Sequence, residues 1–84
     1  MNFMPYAYIL KSLRYPKIYV GSTVNLTRRL QEHNQNKSLF TKRYGPWRII
    51  YKEEISNISE ARKREKYFKS AAGRRLIKKI LNNN

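Results

Sequence analysis

Tyr6-Ala7-Tyr8-Ile9-Leu10-Lys11-Ser12-Leu13-Arg14-Tyr15-Pro16-Lys17-Ile18-Tyr19-Val20-Gly21-Ser22 is the stretch whose reading decides the fold. Aromatic and branched residues dominate both halves, and such residues suit a pleated, half-buried surface. Residues 6–12 read as a strand with Tyr6, Tyr8 and Leu10 on one face, and residues 17–22 read as a second. The proline-containing link over 13–16 is short, so the pair is expected to be an antiparallel hairpin.

Working outward, Asn25 can cap a helix running to about Asn34. Helical spacing puts Leu26, Arg29, Leu30 and His33 on one face, with Arg28, Glu32 and Gln35 turned away. Residues 35–46 read as a polar, basic connector. Residues 47–55 read as a third strand. Ser59 is a candidate cap for a second helix ending near Lys69, with Ile58, Ala61, Glu65 and Phe68 on one face. Residues 70–73 read as a break, residues 74–81 as a last helix, and the asparagine tail as frayed. The order β-β-α-β-α-α implies an α+β fold, a small three-stranded antiparallel sheet flanked by helices. The chain reads as one domain over 1–84, its core at about 6–81.

Composition narrows the function. The 84 residues hold 19 Lys+Arg against 5 acidic residues, a formal charge of +14. All the acids are glutamates. Charge of this kind points to a polyanionic partner, and counterion release from phosphates makes nucleic acid the first choice. A generic solubilising surface is the plainer alternative. A membrane-surface role fits poorly, because the basic helices lack a broad apolar face. No cysteine is present, which removes disulfides and thiolate metal sites. A single histidine removes a poly-histidine site, and the lack of aspartate excludes Asp-rich nucleases. The early apolar run 6–10 is too short for a signal or a membrane span. A cytoplasmic protein is expected.

Four features could carry chemistry. Tyr8 and Tyr19 lie on paired strands, so their hydroxyls can share a site. Arg29 and His33 interrupt the apolar face of the first helix, and Glu65 interrupts that of the second. Each has a plain reading: packing tyrosines, a snorkelling arginine, a structural histidine, a glutamate paired with Arg62 or Lys69. Taken together they suggest one polar cleft, since buried charge is costly unless paired or used. Phosphodiester hydrolysis needs such a cleft: a base for water, a cation for the non-bridging oxygens, and usually a divalent metal. One carboxylate with waters and the phosphate suffices for magnesium.

Tyr6-Ala7-Tyr8, Tyr19-Val20-Gly21, Asn25-Leu26 and Arg29-Leu30 resemble the motif of the GIY-YIG nucleases. The stretch from Ser59 to Lys66 resembles that family's glutamate-bearing helix. The likeness covers about 6–81 and is greatest to small stand-alone bacterial members, similar to the N-terminal nuclease domain of the excision-repair protein UvrC. It implies a metal-dependent DNA endonuclease, with a repair-related role among its expected settings. Tyr8 and Tyr19 would line the site and orient or deprotonate water. Gly21 would permit close backbone approach, and Arg29 would hold the scissile phosphate. His33 would assist the nucleophile, and Glu65 would hold a single Mg2+ or Mn2+. A phenol with an ordinary pKa of about 10 is a poor base at neutral pH; the positive field, Arg29 and a metal are expected to lower it, with proton relay through His33 as the competing route. Tyr6 stands where the motif's name has glycine, and the asparagine near the end of some members has no secure match.

Lys42, Arg43, Arg62, Lys69 and Arg74 are the leading candidates to track a nucleic-acid backbone, with Lys37 and Arg48 beside the connector. Phe40 and Tyr44 could stack on unpaired bases. No base-reading element is apparent, so low sequence specificity is expected. Two rival readings are a binding module of the same fold with little turnover, and an RNA-associated basic protein.

Overall fold

The computed structural model describes residues 4–35 and 39–83. Lys37 and the side chain of Phe40 lie outside the described residues. The elements are β1 (Tyr6–Ser12), β2 (Ile18–Thr23), α1 (Leu26–Asn34), α2 (Leu39–Tyr44), β3 (Trp47–Glu54), α3 (Ile58–Phe68) and α4 (Ala71–Asn82). The sheet is three-stranded in the order β2-β1-β3, antiparallel throughout. The expected α+β class is therefore the observed one.

Placing β1 in the centre explains its sequence. Both faces of a central strand are covered, and Ala7, Tyr8, Ile9 and Leu10 are all buried. Alternation sends them to opposite sides. Ala7 and Ile9 join Val20, Phe68 and Ile77 in one core. Tyr8 and Leu10 join Leu26 and Trp47 in the other. Helices α3 and α4 thus cover one face, and α1 and α2 the opposite one. Arg64 on α3 is paired with Glu53 on β3, which ties the first of these layers to the sheet edge.

Three local expectations are corrected. Within the connector lies the short helix α2. Six residues cannot sustain a helix in water, and tertiary bonds hold this one. The Trp47 indole donates to the Thr41 carbonyl at 2.9 Å, and the Ser12 hydroxyl donates to the Tyr44 carbonyl at 2.6 Å. Second, Asn57 rather than Ser59 caps α3, its side chain accepting from the Glu60 backbone N–H. Third, Ser70 starts α4 instead of breaking the chain, accepting from the Gly73 N–H. Gly73 lies inside that helix against the backbone of Tyr67 and Phe68, where a Cβ would collide. The glycine permits close helix packing, and the helix continues to Asn82. Among the described residues no helix is long and apolar enough to cross a membrane.

Candidate active site

Helix α1 starts where Asn25 adopts extended backbone and its side chain accepts from the Arg28 N–H. That start fixes the phase of the helix, so Leu26 and His33 face the sheet and are buried. Tyr8 meets His33 there. Its hydroxyl lies 3.0 Å from His33 Nε2, and the ring is 1% exposed. Tyr19 stands beside both: its ring centroid is 6.3 Å from that of Tyr8 and 4.6 Å from that of His33. Tyr19 is half-buried and is the phenol nearer to solvent.

Gly21 is the cross-strand partner of Tyr8. A Cβ at Gly21 would stand 2.5 Å from the Tyr8 hydroxyl oxygen and 3.0 Å from a Tyr19 ring carbon. The close approach expected at this glycine is thus made by the Tyr8 phenol itself. One turn before His33, the Arg29 guanidinium interacts with both phenols and also reaches the Glu32 carboxylate at 3.1 Å. Glu32, expected to face away, therefore turns back along its helix to steady Arg29; Arg28 lies 3.4 Å from its other oxygen.

Electrostatics on this side follow from dryness. Burial pushes the Tyr8 phenol well above its ordinary value, neighbouring Tyr19 adds to the rise, and Arg29 opposes it. The expected lowering by positive charge is therefore reversed at Tyr8, because desolvation of a buried phenolate outweighs one guanidinium. Burial, then the charge of Arg29, push His33 down to about 4. The imidazole is neutral at neutral pH, and its Nδ1 is buried without a hydrogen-bond partner. Burial disfavours the charge on Arg29, yet hydrogen bonding to Glu32, Tyr19 and Tyr8 outweighs it and holds the guanidinium firmly protonated.

Glu65 approaches from the opposite layer. Ser22 follows Gly21, so its side chain points through the other face of β2, toward α3. The Ser22 hydroxyl donates to Glu65 Oε1 at 2.6 Å, and Lys69 Nζ donates to Oε2 at 2.7 Å. The carboxylate side chain is 26% exposed. It borders a hollow of about 380 Å³ lined by Ser22, Arg62, Glu65, Lys66 and Lys69. Its charge also reaches Tyr8 and adds to the resistance of that phenol to ionisation. The structure thus brings Tyr8, Tyr19, Arg29 and His33 into contact on one side of β2. Glu65 joins them from the other side, through the Gly21–Ser22 step.

The sequence matches the GIY-YIG catalytic domain over residues 4–79. The chain belongs to the GIY-YIG family. It is 39% identical over 67 residues to a UPF0213 protein of Clostridium perfringens, covering 79% of this chain and 71% of the relative. A UPF0213 protein of Syntrophus aciditrophicus is 38% identical over 66 residues, covering 76% and 75% respectively. One from Staphylococcus haemolyticus is 34% identical over 76 residues, covering 89% and 92%. No solved structure gives a significant match. Membership makes this a small nuclease-type domain, and nuclease chemistry implies a nucleic-acid substrate.

In this GIY-YIG chain the cationic candidates fall into two groups. Arg62 and Lys69 line the Glu65 hollow, and Arg74 shares a neighbouring groove with Lys69. Lys42 and Arg43 are exposed on α2, in the layer opposite α3 and α4. Among the described residues no group of three or more His, Cys, Asp or Glu side chains is assembled for a metal. A lone, partly exposed carboxylate with a hydroxyl beside it suits a hard cation that keeps most of its waters. Ser22 was missed by the sequence reading. The signal was available: in a strand, the residue after a glycine that faces one layer must face the other.

Proposed function

We propose that this chain is a metal-dependent endonuclease that hydrolyses phosphodiester bonds in DNA with low sequence specificity. One observation carries the reading. Consecutive residues of β2, Gly21 and Ser22, link the two polar groups that the reading needs: the Tyr8 phenol lies against Gly21, and Ser22 grips Glu65. Across that single step of β2 the carboxylate held by Ser22 lies within electrostatic reach of the Tyr8 phenol.

The roles follow from position. Arg29 offers a permanent cation for the non-bridging oxygens and the charge that develops on them. Tyr19, the phenol nearer to solvent, orients the attacking water. Tyr8 and neutral His33 lock the neighbouring ring and guanidinium in place. Glu65, with Ser22 fixing its orientation, would hold one Mg2+ or Mn2+, which supplies charge neutralisation for the leaving oxygen when bound. Arg62, Lys66 and Lys69 around the same hollow attract the flanking phosphates.

Plasmid nicking tests this. Purified protein is expected to convert supercoiled plasmid to open circles with Mg2+ or Mn2+, and Glu65→Ala to abolish nicking while binding persists. Intact plasmid across a full series of divalent metals would overturn the proposal. A specific contact favours the second reading, a binding module with little turnover: Lys69 sits on the carboxylate oxygen that a metal would need. That reading predicts salt-sensitive binding indifferent to metal.

A further inference from the structure

We propose that the β1–β2 turn and the end of α2 form a subsite for an unpaired nucleotide, with Tyr15 as the stacking surface and Lys17 and Arg43 as the phosphate contacts. The inference rests on the nuclease reading only for what lies next to the subsite. Binding there does not require turnover.

Tyr15 is an aromatic ring left 45% exposed at the turn. It meets Tyr44 edge-on, with centroids 5.5 Å apart. Lys17 Nζ lies 5.1 Å from the Tyr44 ring centroid and the Arg43 guanidinium 5.6 Å from it. Two rings and two cations are thus gathered at one corner. Among the described residues neither cation is paired with a carboxylate. The wider region is one-sided in charge: residues 11–18 and 39–48 hold Lys11, Arg14, Lys17, Lys42, Arg43 and Arg48 and no acid. All five glutamates lie elsewhere in the chain.

The corner is also rigid. The Ser12 hydroxyl oxygen accepts from the Arg14 and Tyr15 backbone N–H groups at 3.1 and 3.0 Å and donates to the Tyr44 carbonyl at 2.6 Å. One buried serine therefore shapes the turn and fastens it to α2. A ring presented on such a support loses little freedom when a base stacks on it.

Its place relative to the active site gives it a use. Lys17 immediately precedes β2 and lies two residues before Tyr19, about 7 Å along an extended chain. Aromatic rings connect the two places: Tyr19 is 6.4 Å from Trp47, and Tyr44 packs against the cluster that contains Trp47. A strand with a phosphate at Arg29 can run along this row and set an unpaired base further along it on Tyr15. A paired base cannot do so, because its face is already stacked within the duplex.

The test is fluorescence anisotropy in EDTA, so that nothing is cut. The probes are labelled oligothymidine, labelled oligouridine, and a blunt DNA duplex. Tyr15→Ala is expected to weaken single-strand binding about tenfold, the usual scale for loss of one stacked base, and to leave duplex binding within about twofold. Tyr15→Trp should preserve single-strand binding. Loss on either single strand supports the subsite, and the strand affected names the nucleic acid it prefers. Equal weakening on single strand and duplex, or no weakening on either single strand, overturns it. Lys17→Ala, at an exposed position, is the second variant and should lower the salt slope of single-strand binding by about 0.7, one phosphate contact; an unchanged slope removes that contact. Failure of the nuclease reading would instead appear as uncut plasmid with wild-type protein, a separate result.

Discussion

The two sides of strand β2 solve opposite problems. On the α1 side, Tyr8 and His33 are buried rings joined by one hydrogen bond, with a glycine cut away to fit them. On the α3 side, Glu65 is partly open to water and is held by a hydroxyl and an ammonium. Dryness freezes protonation on the first side: the phenol resists losing a proton and the imidazole resists gaining one. Openness keeps the second side exchangeable, since a lysine that pairs with a carboxylate in water can be displaced at little cost. The comparison separates a part fixed by burial from a part left open to exchange with water.

The largest expected break in that contrast comes from Gly21→Ala. The new methyl would collide with the buried Tyr8 phenol, and overpacking of a tight site costs up to about 3 kcal/mol. Urea unfolding should show the loss, and plasmid nicking should fall with it. A neutral result would mean that the phenol has room, and the dry side would lose its claim to rigidity.

Acid probes the same side through His33. An unfolded histidine binds a proton near pH 6.5, whereas this one resists until about 4. Its neutral burial is therefore harmless above pH 6.5. Stability falls as pH drops from 6.5 toward 4, where the unfolded chain alone takes up the proton. Between pH 7 and pH 5 the loss should be on the order of 2 kcal/mol. Glu32 and Glu53, whose arginine partners help hold their carboxyls below the ordinary value, add their own losses only at lower pH. Urea midpoints at pH 7 and pH 5 should show a smaller difference in His33→Gln than in the wild type; identical differences would place the acid sensitivity elsewhere.

Ser22→Ala sharpens the wet side and has the smallest expected effect. Removing the hydroxyl frees Glu65 to turn. The Mn2+ concentration needed for half-maximal nicking should rise about tenfold, the lower range for losing an orienting partner, with thermal stability little changed. An unaltered metal requirement would reduce Ser22 to a bystander.

The sequence alone determined the elements that repeat a strong local pattern. Strand β1 matched its expected bounds, and Asn25 caps α1 as read. The placement of Tyr8, Tyr19, Arg29 and His33 on facing surfaces was legible because strand and helix periods fix which side a residue takes. Helix α2, the Asn57 cap and the packing role of Gly73 were not legible. Each depends on contacts from distant parts of the chain, such as the Trp47 indole on the Thr41 carbonyl.

The tertiary structure alone decided the electrostatics of the site. Sequence shows +14 of charge and predicts a phenol pKa below its ordinary value. Burial depth is a property of the assembled layers, and at Tyr8 it outweighs that charge. The grip of Ser22 on Glu65 is likewise a tertiary fact, made between residues 43 positions apart. Local periodicity can say which way a side chain points, but only packing says how much water is left around it and which partner it finds there.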